Sequence, residues 1–167
     1  MGRAIGAIEG LPVLDLGRRV ADELGTSPDL ALVAVPEADY RRVEARVASQ
    51  VLDHAVAQGA VVALGSGCLG DPRIGRRLEE LRLVHDRSCQ IVALACATRV
   101  LATRNGLDAP RSVALGTVHH QFVQMLHERQ ARCRELADTI IDTSATTPEE
   151  AGEQVIRAVE AGFSHHS

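Results

Sequence analysis

The sequence contains no lysine: all eighteen of its basic residues are arginine. The ammonium group of a phosphate-binding loop therefore cannot be supplied by any of these residues. Tryptophan is absent too, and Tyr40, Phe122 and Phe163 make up the aromatic content. The core must be built from Val, Leu, Ile and Ala, which suits helices packed on a buried parallel sheet. The apolar runs are too short to span a bilayer and no signal peptide opens the chain, so a cytoplasmic protein with no membrane partner is expected. Cys68, Cys89, Cys96 and Cys133 show no C-x-x-C spacing. They read as free thiols in a reducing compartment, and no metal or cofactor is expected. A formal charge of −4 gives a nucleic-acid partner no electrostatic support.

What is present alternates. At 167 residues the chain fits one domain, 1–163, followed by a tail, 164–167. "LALVAV" (30–35), "AVVALG" (60–65), "CQIVALAC" (89–96) and "DTIIDT" (138–143) are predicted as buried strands, with "RAIGAI" (3–8) a weaker candidate. Between them, 37–57 places Tyr40, Val43, Val47 and Val51 on one helix face, while Arg41, Arg42 and Glu44 are assigned to solvent. Helices are also predicted over 72–84 and 117–136. A last one starts at Thr147, with Pro148 and Glu150 completing a capping box and Ala151, Val155, Val159 and Phe163 as its buried face.

Strands separated by helices predict an α/β fold of three layers with a mostly parallel sheet of four to five strands. Ligands on such sheets lie beyond the carboxyl ends of the strands. There "ALGSGCLGDP" leaves a strand through three glycines that let backbone approach a ligand. "RNGLDAPRSVALG" (104–116) is a Gly/Pro-marked loop that reads either as a lid or as a plain solvated loop.

Taken in order, these segments resemble the shikimate kinase family, whose fold is of the nucleoside monophosphate kinase type. "YRRVE" looks like the family's F-R-x-x-E helix, and "LGSGCL" like its Gly-Gly-Gly turn. "RSVAL" is similar to its R-P-L-L lid, and "HERQARCRELAD" to its E-R-x-x-x-Y-x-x-x-A-D helix. The order holds from Glu37 to Phe163, roughly three-quarters of the chain. The resemblance implies that Arg41 and Arg129 grip the carboxylate of a cyclic acid beside Gly65, Ser66 and Gly67. Two guanidinium forks suit a planar carboxylate. It also implies Arg104 and Arg111 as lid arginines. Ser66 and Cys133 replace the family's glycine and tyrosine, which suggests a reshaped pocket.

The opening residues match the family in two ways. Without gaps, "GLPVLDLG" looks like the second strand with its D-x-D pair, which makes Asp15 the metal-linked carboxylate and omits the first strand and the phosphate loop. With a deletion before Tyr40, "GLPVLDLGRRVADELG" falls on the loop and first helix, with Val13 in place of its lysine. Retaining the first strand avoids unpaired backbone groups at the sheet centre; the gapless match is the better sequence fit.

Three functions stand against one another. The first is a repurposed enzyme acting on a shikimate-type acid without ATP, for example by elimination of water, with Asp15, Cys68, His119 and His120 as candidate acid–base groups. The second is a kinase-dead binding or regulatory protein, and the third a genuine shikimate kinase. The partner expected is a small cyclic carboxylic acid; a homo-oligomer is compatible with the sequence. If both site arginines are buried without carboxylate partners, removing either should cost binding and little stability; if they stand far apart, or each is locked to a neighbouring acid such as Glu44 or Glu128, the acid site is lost and a scaffold or partner-binding protein is expected instead.

Overall fold

A computed structural model describes residues 2–84, 89–104 and 113–164. The elements are α1 (Gly2–Glu9), β1 (Val13–Asp15), α2 (Leu16–Glu23), α3 (Ala31–Ala34), α4 (Glu37–Gln58), β2 (Val61–Ala63), α5 (Pro72–Val84), β3 (Val92–Ala95), α6 (Thr98–Arg104), α7 (Val113–Leu136), β4 (Thr139–Asp142) and α8 (Pro148–Ser164). A short 3-10 turn, Ser66–Gly70, joins β2 to α5.

The α/β architecture with parallel strands is as expected. The strands form two pairs: β1 runs parallel to β2 with Val13 opposite Val61 and Asp15 opposite Ala63. β3 runs parallel to β4 with Val92 opposite Thr139. Among the described residues β2 and β3 each keep one edge without a strand partner. The core lies between the first pair and helices α2, α4 and α5, around Leu14, Leu16, Val20, Ala48, Val51, Ile74 and Leu78, with Leu136 of α7 closing it. Small residues let α1 pack closely. A Cβ on Gly6 would overlap the Val13 side chain, and one on Gly152 of α8 would stand 3.3 Å from Ala4 Cβ.

Two strand assignments are corrected. Residues 31–34 are helical, and Leu30, Leu32 and Val33 are exposed. Leu and Ala favour a helical turn, and an apolar run this short does not by itself distinguish strand from buried helix. Residues 3–8 lie in α1, where Ile5 and Ile8 recur at helical spacing. A helix at 31–34 agrees with the gapless match and places Val13–Asp15 as a strand beside β2.

The longer helices stand where the sequence puts them. Asp15 caps α2, its Oδ1 accepting from the Arg18 N–H at 3.2 Å. The capping box of α8 forms both ways: Thr147 Oγ1 accepts from the Glu150 N–H at 3.2 Å, and Glu150 Oε2 from the Thr147 N–H at 2.8 Å. Ala151 and Val155 are buried as expected. No helix of the described residues is long and apolar enough to cross a membrane.

Candidate functional site

The α4 sequence assembles the site by spacing. Tyr40, Glu44, Val47 and Val51 follow one another at steps of four, three and four, so Glu44 shares the face that Val47 and Val51 bury. It is 6% exposed, against the expectation of a solvated carboxylate. A buried carboxylate needs a partner. Arg41 supplies it, Nη1 donating to Glu44 Oε2 at 2.8 Å, with Glu37 Oε1 at 3.6 Å from Nη2. The Arg41 guanidinium also lies over the Tyr40 ring, its ζ carbon 5.4 Å from the centroid, where cation–π attraction holds it.

The same guanidinium rests against the glycine turn. A Cβ on Gly67 would stand 2.6 Å from Arg41 Nη1, so the close approach depends on glycine. The turn begins at Gly65, two residues beyond β2, and the Cys68 N–H donates to the Gly65 carbonyl at 3.1 Å. Asp15 ends β1 opposite Ala63, so Asp15 and the turn sit at the same, carboxyl end of the strand pair. Gly65 and Ser66 are exposed, Gly67 half-buried and Cys68 buried.

Burial shapes the electrostatics. The Cys68 thiol is pushed up to about 12, chiefly by burial and then by the Glu44 carboxylate. Tyr40 is raised by burial first and by Glu44 second. For Arg41 burial is the largest single influence and works against the charge, but the hydrogen bond to Glu44 and the charges of Glu44, Glu37 and Tyr40 together outweigh it, and the guanidinium is held more firmly protonated.

Arg129 lies on α7, half-buried, with no ion pair among the described residues. Its neighbour Glu128 instead accepts a hydrogen bond from Gln124 at 3.1 Å. The charge of Arg129 reaches Cys133, and Cys133 lies within electrostatic reach of Cys68. This segment of α7 therefore borders the glycine turn, although no hydrogen bond joins Arg129 to Arg41 among the described residues. Cys133 replaces the aromatic expected on this helix and stays a free thiol.

Asp15, at the same strand ends as the turn, lines an open groove of about 920 Å³ with Arg3, Arg18 and Ala63. His120 is exposed on α7. Arg111 lies outside the described residues, as do the side chains of Arg104 and His119. No cluster of His, Cys, Asp and Glu among the described residues could hold a metal ion. The sequence reading missed Glu44 as part of the site. The signal was its four-residue step from Tyr40, which outranks its charge as a guide to burial.

Comparisons with known proteins bear on this arrangement. The family model for shikimate kinase matches residues 1–160. A shikimate kinase from Thermobifida fusca (strain YX) is 28% identical over 161 residues, covering 96% of this chain and 87% of the relative. One from Streptococcus suis (strain 05ZYH33) is 24% identical over 146 residues, covering 87% and 86%. The crystal structure of shikimate kinase from Bacteroides thetaiotaomicron superposes with a TM-score of 0.68 at 16% sequence identity, covering 95% of this chain and 89% of that one.

Proposed function

The chain belongs to the shikimate kinase family, and from that premise we propose that residues 1–167 form the acid-binding side of a phosphoryl-transfer site for a shikimate-type cyclic acid. The observation that supports this most is the seating of Arg41 between the Tyr40 ring and the Gly67 backbone at the carboxyl end of β2. Arg41 would take the carboxylate in a bidentate pair, with Arg129, which carries no described ion pair, as the second cation. Asp15, at the same edge, is the carboxylate we assign to the magnesium side.

Phosphoryl transfer depends on positioning and on neutralising phosphate charge. With no lysine among these residues, we expect them to bind the acid by themselves without tight ATP binding or turnover. Of the groups expected to drive an elimination of water, Cys68 is a thiol pushed up to about 12 and so a poor base at neutral pH. Calorimetric titration with shikimate, followed by analysis for ATP-dependent and ATP-independent products, tests the reading. Dehydrated product formed from the acid alone would replace it with the elimination.

A further inference from the structure

We propose that the groove at the carboxyl ends of β1 and β2 binds the phosphate group of a small, hydroxyl-bearing phosphate ester through Arg3, Arg18 and Arg19. All three line it, Arg3 from α1 and the other two from the first turn of α2, beside the Asp15 and Ala63 ends of the strand pair. Its volume of about 920 Å³ is that of a small-molecule site. Neither arginine assigned to the cyclic acid takes part, so the inference goes beyond that reading and does not depend on it.

The three guanidiniums are gathered but not neutralised. Arg19 stands three residues before Asp22, the step at which Arg77 pairs with Glu80 and Arg132 with Glu135. Yet Arg19 makes no ion pair among the described residues, and neither do Arg3 and Arg18. Like charges lining one hollow repel one another, and an anion relieves the repulsion. Phosphate suits them better than carboxylate. It carries about two negative charges at neutral pH and three terminal oxygens, enough to take forks from more than one guanidinium. The acids of the groove decide what the phosphate is attached to. Asp15 already accepts from the Arg18 N–H, but Asp22 and Glu149 also line the groove. A carboxylate only accepts hydrogen bonds, so these two repel a bare anion and favour a ligand that brings hydroxyls to them.

The test titrates ribose 5-phosphate and inorganic phosphate calorimetrically into the full chain and its Arg18→Gln and Arg19→Gln variants at low ionic strength, with shikimate titrated in parallel. Both arginines are exposed, so the variants are expected to keep the wild-type Tm. Ribose 5-phosphate is expected to bind saturably and more tightly than inorganic phosphate. Each substitution should weaken it about 5–10-fold and leave shikimate binding unchanged, and added salt should weaken it further. No saturable binding of ribose 5-phosphate at millimolar concentration, or binding that neither substitution weakens, overturns the proposal. Inorganic phosphate binding as tightly as the ester overturns the assignment to an ester. Shikimate judges the acid site separately: if it binds while neither phosphate compound does, this proposal falls and the acid-site reading stands.

Discussion

Arg41 Nη1 lies 2.8 Å from Glu44 Oε2, and the carboxylate it neutralises is 6% exposed. The group offered to a ligand is therefore also the group that makes a buried charge tolerable. Glu44 holds the guanidinium over Tyr40 and against Gly67, and a ligand carboxylate would have to share it.

Arg41→Ala is accordingly expected to lower stability by about 2 kcal/mol, because Glu44 would stay buried without its partner. The expectation of little stability loss applies to an arginine without carboxylate partners, and Arg41 does not meet that condition: its pairing with Glu44 is half of the contrary case, which Arg129, with no ion pair among the described residues, does not complete. Adding Glu44→Gln should recover most of the loss. Urea unfolding of both single variants and the double variant measures the coupling, and strictly additive effects would contradict it.

Gly67→Ala is expected to bind acid about tenfold more weakly and to lose part of the stability that the Arg41–Glu44 pair supplies. The new Cβ would stand 2.6 Å from Arg41 Nη1, the atom that donates to Glu44. The far end of an arginine can move aside, but here the displacement strains that pair as well as the grip on a ligand. A variant that retains wild-type affinity would show that the contact does not position the guanidinium.

Cys68 predicts an alkaline instability. Its folded thiol is pushed up to about 12 by burial and by Glu44, whereas an unfolded thiol titrates near about 8.5. The folded state keeps a proton that the unfolded state releases. Its contribution is complete below the unfolded value and is lost as pH rises towards the folded one, by about 1.4 kcal/mol per pH unit. Cys68→Ala should remove one proton's worth of slope from denaturation free energies measured between about pH 8 and 10. Cys89 and Cys133, also raised by burial, account for slope that remains. A slope unchanged by the substitution would contradict the assignment.

The elements legible in the sequence were those specified locally and at length. α4, α5 and α8 carry long periodic stripes or a capping box, and they stand within a residue or so of their predicted bounds. The runs at 3–8 and 30–35 were misread because both are short and rich in Ala, Leu or Ile, which pack in either geometry. Their states are set by what lies beside them, as where Gly6 lets α1 close on Val13. The motifs brought together two residues that do approach each other, Arg41 and Gly67. Glu44 was misassigned because charge was weighed above helical position.

The central claim is that Arg41 and the Gly67 turn hold a cyclic carboxylic acid with Arg129 as the second cation. Calorimetric titration of shikimate into the wild type, Arg41→Ala and Arg129→Ala tests it most directly. Arg129 has no described ion pair to lose, so Arg129→Ala should keep its fold and serves as the cleaner arm. The account predicts saturable binding to the wild type, weakened about 10–100-fold in each variant. No binding at millimolar shikimate, or both variants binding as the wild type does, would contradict it.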